Sequence, residues 1–121
     1  MHTILVVDDE PLIRWAMRQE LEGAGYQVIE AGSAREALAE LDGARDVDVA
    51  LLDIRLPDSD DLDLLKRVRR GAPACRVIMM SAHGTPELLA EAIRAGAFGT
   101  LSKPFDMSGM IAMVRAAGAA A

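Results

Sequence analysis

The feature that most constrains this chain is a repeated alternation of short β-rich runs and longer helical patterns. The runs read as strands over Thr3–Asp8, Tyr26–Ala31, Val47–Asp53, Arg76–Ser81 and Phe98–Ser102. Within the first, third and fourth, the segments ILVV, VALL and VIMM are unbroken apolar stretches. Strands of that kind belong in a parallel sheet with helices covering both faces. The intervening patterns supply the helices. In the first, Leu12, Ile13, Ala16, Met17 and Leu21 form an apolar stripe opposite Arg14, Arg18 and Glu22. Gly25 offers a left-handed stop after it. Ser33 and Glu36 read as a capping box for the second helix, and Asp60 or Asp61 could cap the third. Thr85-Pro86 opens the fourth and Gly96 closes it. The last begins near Asp106 or Ser108, with Met107, Met110, Ile111 and Val114 on one face.

Five such units argue for a doubly wound α/β fold of the flavodoxin-like type: five parallel strands and five helices in three layers. One strand order for this pattern is 2-1-3-4-5. It puts the topological switch point between the first and third strands, and ligands bind at the carboxyl ends of the strands there. A chain of 121 residues suits one domain over residues 1–121. It ends in AAGAAA directly after the fifth helix pattern, so the expectation is a single module, stand-alone or part of a longer protein. No apolar run approaches the length of a bilayer span, and no signal-peptide profile opens the chain. With the lone Cys75, which excludes an internal disulfide, this leads us to expect a cytoplasmic protein. The net charge is −6 and there are four aromatic residues. The one basic run, KRVRR at 66–70, reads as the wet face of a helix. Direct nucleic-acid binding is not expected from such a surface.

The strand ends carry the chemistry. The first strand ends in Asp8-Asp9-Glu10, the third in Asp53, the fourth in Ser81 and the fifth in Ser102-Lys103-Pro104. Three carboxylates from adjacent strands require a proton or a cation between them. Oxygen donors without histidine or cysteine suit Mg²⁺ rather than zinc. A carboxylate nucleophile, a hard cation, a lysine and a hydroxyl are the parts that phosphoryl transfer requires. Each residue alone has a bland reading: helix-dipole acids for Asp8-Asp9-Glu10, a turn residue for Asp53, a surface lysine for Lys103. Their convergence at four strand ends favours the chemical one.

At these positions the chain resembles the receiver domains of bacterial two-component response regulators. ILVVDDEP, LLDIRLP, VIMMSAHG and GAFGTLSKPF match that family's signatures in order and spacing. IRWAMRQELEGAG and the stretch from Ser81 to Asp106 look most like the nitrogen-regulation branch, whose receivers usually precede an ATPase and a DNA-binding domain. The resemblance implies a phosphoprotein rather than a turnover enzyme, acting in transcription regulation. Asp53 would accept a phosphoryl group from a sensor histidine kinase. Asp9, Asp53 and the Arg55 backbone carbonyl would ligate Mg²⁺, with Asp8 acting partly through water. Lys103 would pair with the acyl phosphate, Ser81 would swing toward it, and the Ala82 backbone N–H would contact it. The Lys103–Pro104 peptide would be cis. The fourth helix, fifth strand and fifth helix would form the switching face, with a homodimer or output domain as partner.

Four positions depart from the pattern or tune it. Thr100 stands where the family usually has an aromatic, so the response is expected to be less aromatic-gated, with Phe98, on the same side of the strand by alternation, as the candidate substitute. Asp61 stands where glycine is usual, and with Asp58 and Asp60 it enlarges the negative field unless these residues simply solvate the loop. Arg55 and His83, two residues after Asp53 and Ser81, occupy positions that tune phosphoryl lifetime in the family, and Arg55 could instead pair with the acidic loop. Two other readings compete: a receiver that works without phosphorylation, and a haloacid-dehalogenase-type phosphatase. The second would want a D-x-D run and a cap domain, where this chain has adjacent Asp8-Asp9 and no room for a cap.

Overall fold

The computed structural model describes residues 2–43, 46–59, 62–82 and 84–119. Five strands alternate with five helices: β1 Thr3–Val7, α1 Pro11–Gly23, β2 Gln27–Ala31, α2 Ala34–Asp42, β3 Val49–Asp53, α3 Asp63–Gly71, β4 Arg76–Ser81, α4 Pro86–Arg94, β5 Gly99–Ser102 and α5 Met107–Ala119. The strands form one parallel sheet in the order 2-1-3-4-5. Strands therefore start one or two residues later than expected at Tyr26, Val47 and Phe98, and β1 stops before Asp8. At β2 the cause is local: the Tyr26 N–H donates to Leu21 O of α1, 3.1 Å away. The chain is still leaving the helix there.

Alternation along the strands builds two cores. Ile4, Val6, Val49, Leu51, Ile78 and Met80 face one side, under Met17 and Leu21 of α1 and Met110, Val114 and Ala117 of α5. Leu5, Val7, Ala50, Leu52, Val77 and Met79 face the other, under α2, α3 and α4. Burial of all of β3 and of every residue but the first in β1 and β4 explains their apolar runs, each large side chain contributing about 1.5–3 kcal/mol by leaving water. The methionine-rich face of α5 belongs to the first core, since Met110 is fully buried and Met107 and Met113 pack against it.

The helix ends follow local chemistry. Gly25 and Gly96 adopt φ of 99° and 108° after α1 and α4, conformations that favour glycine. Thr85 Oγ1 accepts from the Leu88 N–H at 3.1 Å with Pro86 in the first turn. Asp106 Oδ1 accepts from the Gly109 N–H at 2.6 Å at the start of α5. Ser33 Oγ accepts from the Glu36 N–H, but Glu36 reaches back to the Gly32 N–H rather than to that of Ser33. The position before α3 is Leu62, with no side-chain cap; Asp60 and Asp61 lie outside the described residues. In the basic run, Lys66, Arg67 and Arg70 are exposed while Val68 is buried, and Arg69 donates to the carbonyls of Pro73 and Cys75 at 2.9 and 2.8 Å. It is a helix face that also ties down its own exit loop.

Cys75 is buried, and burial pushes its thiol up to about 11. At pH 8 an aromatic disulfide reagent should therefore label the native chain roughly two orders of magnitude more slowly than the urea-unfolded chain. Equal rates would show that the thiol is open to solvent.

Candidate functional site

The carboxyl ends of β1 and β3 lie side by side, with Val7 paired to Leu52, so the residues after them meet at the crevice. Asp8 is fully buried and Asp53 nearly so, while Asp9 is exposed. One oxygen from each of the three lies within 4.8 Å of the others. On the opposite side, β5 delivers Lys103. Its backbone N–H donates to Ser81 O at 2.8 Å, which holds the loop against the end of β4. Its Nζ then donates to Asp8 Oδ2 at 2.7 Å and Asp53 Oδ2 at 3.0 Å. The Lys103–Pro104 peptide is cis.

One ammonium faces three carboxylates, and the electrostatics reflect the deficit. Burial pushes the Asp53 carboxyl above its ordinary value, Asp8 adds to that push, and the Lys103 ammonium and Arg55 N–H only partly oppose it. Burial would lower the Lys103 ammonium, but hydrogen bonds to Asp8 and Asp53 outweigh it and hold it above its ordinary value. The remaining oxygens differ in use. Asp8 Oδ1 accepts from the Glu10 N–H at 2.9 Å and Asp53 Oδ1 from the Arg55 N–H at 3.2 Å. Both Asp8 oxygens are thus engaged, whereas the Asp9 carboxylate stands at the mouth. A cleft of about 210 Å³ opens over this group, lined by Asp9, Asp53, Arg55, Ser81, Ala82 and Lys103 among others. Clustered hard oxygen donors, with no histidine or cysteine in the cluster, fit a magnesium-sized cation.

Ser81 is buried at the cleft wall, and the chain passes close over it: a Cβ on Gly84 would lie 2.7 Å from Ser81 Oγ. Thr100 sits in β5 opposite Met79 and is half-buried. Phe98, just before that strand, is exposed. His83 lies outside the described residues.

Two contacts escaped the sequence reading. Asp58 accepts from the Ala34 and Arg35 N–H groups at 2.8 and 3.0 Å, fastening the loop after Asp53 to the start of α2. Those N–H groups hold its carboxyl below the ordinary range. Arg14 donates from Nη1 to the backbone carbonyl of Asp8 at 2.5 Å and from Nε to Glu30 Oε1 at 2.9 Å. Nothing in sequence spacing links 58 to 34. Of the second, the sequence displayed only Arg14 and Arg18 one turn apart on α1, with nothing to link them to Glu30 on β2.

The model of the response regulator receiver domain matches residues 4–115. The chain belongs to that family. It is 40% identical over 114 residues to the DNA-binding transcriptional regulator NtrC of Salmonella typhimurium, covering 94% of this chain and 24% of that protein. It is 39% identical to the nitrogen assimilation regulatory protein NtrX of Azorhizobium caulinodans, covering 96% of this chain and 26% of that protein. This receiver thus spans about a quarter of the length of those regulators. Among solved structures, the receiver domain of NtrX from Brucella abortus superposes with a TM-score of 0.90 at 36% identity, covering 98% of this chain and 99% of that one. The chemotaxis response regulator CheY4 of Vibrio cholerae gives 0.87 at 30% identity, covering 97% and 98%. No helix among the described residues of the receiver is long and apolar enough to cross a membrane.

Proposed function

We propose that this receiver is a phosphorylation switch that accepts a phosphoryl group on Asp53 from a phosphohistidine of a sensor histidine kinase. The observation that carries the reading is Lys103 Nζ bridging Asp8 and Asp53 at 2.7 and 3.0 Å beside the open carboxylate of Asp9. Asp9, Asp53 and the Arg55 backbone carbonyl would hold Mg²⁺, with Asp8, both of whose oxygens are already bonded, contributing partly through water. Mg²⁺ when bound neutralises the carboxylates and the charge on the phosphoryl oxygens.

An Asp53 oxygen attacks phosphorus in line with the leaving imidazole. The new O–P bond forms as the P–N bond breaks, and its electron pair leaves on the histidine nitrogen. Lys103 exchanges its carboxylate partner for a phosphoryl oxygen, and the Ser81 hydroxyl and Ala82 N–H donate to the others. Added charge at a partly buried site then biases the switching face of α4, β5 and α5. Ile93 and Phe98, exposed on α4 and just before β5, support that face as the surface a second copy or an output domain reads. The same reading makes the domain a cytoplasmic regulator of transcription within a longer chain, catalysing only its own phosphorylation and dephosphorylation.

Acetyl phosphate with Mg²⁺, followed by intact-mass spectrometry, tests the reading. The expected result is a gain of one phosphate that fails to form when EDTA replaces Mg²⁺ and is absent from Asp53→Ala. An unmodified wild-type chain, or a phosphate retained by Asp53→Ala, would overturn it.

A further inference from the structure

We infer that Arg14 is a positioning residue for the metal loop, aiming the Asp9 carboxylate by clamping the backbone of Asp8; this rests on the magnesium reading above. The Asp8–Asp9 turn leaves β1 with its start fixed to the sheet, since the Asp8 N–H donates to Ala31 O at 3.1 Å. Its side chain is fixed as well, through the Glu10 N–H and Lys103. What remains free in such a turn is rotation of the peptide plane between Asp8 and Asp9. Arg14 Nη1 removes that freedom by donating to the Asp8 carbonyl. Asp9, whose Cα follows that peptide, has its direction set as a consequence.

The guanidinium is itself held. Its Nε donates to Glu30 Oε1 at 2.9 Å, and Glu30 Oε2 accepts from Arg18 Nη1 at 2.9 Å. Arg18 in turn pairs with Glu22 at 3.1 Å. The chain makes room for this arrangement: a Cβ on Gly32 would meet Arg14 Nη1 at 3.2 Å. The clamp requires a planar fork with two donors pointing different ways. A lysine's donors all radiate from one nitrogen and cannot reproduce the separate Nε and Nη1 positions that face Glu30 and the Asp8 carbonyl. Groups that orient metal ligands in this way typically change metal affinity by 10–100-fold when removed.

The test is direct Mg²⁺ titration by calorimetry on the wild-type chain, Arg14→Ala, Arg14→Lys and Val114→Ala. The last is a core change on α5 that lowers stability without touching the loop. Arg14→Ala should weaken Mg²⁺ by roughly tenfold, Arg14→Lys should recover little of the loss, and Val114→Ala should bind like the wild type. If Arg14→Ala fails to fold, Arg14→Lys alone decides. Wild-type affinity in every folded Arg14 variant, or an equal loss in Val114→Ala, would overturn the inference while leaving the metal reading intact. No Mg²⁺ binding by the wild-type chain would overturn both.

Discussion

Lys103→Met is expected to destabilise the metal-free chain by about 3 kcal/mol at pH 7, measured by urea unfolding in EDTA. The size follows from burial. Lys103, Asp8 and Asp53 have side chains 11%, 0% and 10% exposed, so removing the cation strands two buried carboxylates beside a third. Breaking a buried pair from one side typically costs about 3–5 kcal/mol, and the open mouth at Asp9 lets water return part of that. The pH dependence has a definite sign. Burial already holds Asp53 above its ordinary value against the pull of Lys103, and without Lys103 that upward shift grows. A carboxyl raised in the folded state binds its proton more tightly there than in the unfolded chain. The penalty is therefore full well above the folded value and shrinks as pH falls through it toward the unfolded value. The gap between variant and wild type should narrow on acidification from pH 7 to 5 and also on adding Mg²⁺. A gap that is constant with pH would show that the loss is packing rather than charge.

Asp53→Asn should act in the opposite direction, and its effect should invert with metal. Asparagine keeps the shape and removes one of three crowded negative charges. In EDTA it should raise stability on the order of 1 kcal/mol, a few degrees in Tm. Saturating Mg²⁺ is expected to reverse the order. A ligand that binds only the folded state adds RT ln(1 + [L]/Kd), about 1.4 kcal/mol at ten times Kd, and under the proposed magnesium site the variant lacks one ligand. Thermal unfolding of both proteins with and without Mg²⁺ should therefore show crossing stabilities. Parallel responses to the metal would remove Asp53 from the ligand set.

These two expectations draw on different degrees of legibility. The sheet could be read because β1, β3 and β4 are buried on both faces, which forces continuous apolar runs that helices rarely show in that length. The site could be read because a strand's end fixes where its next residue goes: Asp8, Asp53, Ser81 and Lys103 converge once the strand order is known. Arg14 was read as a polar residue opposite an apolar stripe, but Leu12 of that stripe is exposed while the Arg14 side chain is largely covered, and its partner is a backbone carbonyl, which no sequence displays. Asp58 looked like a solvated loop acid. Its fastening to α2 depends on how far the loop after Asp53 folds back, a tertiary distance rather than a local preference. The capping box shows the same limit on a smaller scale, because Ser33 and Glu36 announce a helix start but not which N–H each will take.

The sheet is unevenly stiff, and the site straddles the difference. Asp53 ends β3 and Asp8 directly follows β1, strands buried throughout except for Thr3, whereas Lys103 follows β5, four residues long with none fully buried. Local opening costs least where burial is least. Anions are thus mounted on the rigid middle of the sheet and the cation on its compliant margin. A change of charge between them is therefore expected to displace the margin rather than the carboxylates, outward along β5 toward the helices that flank it.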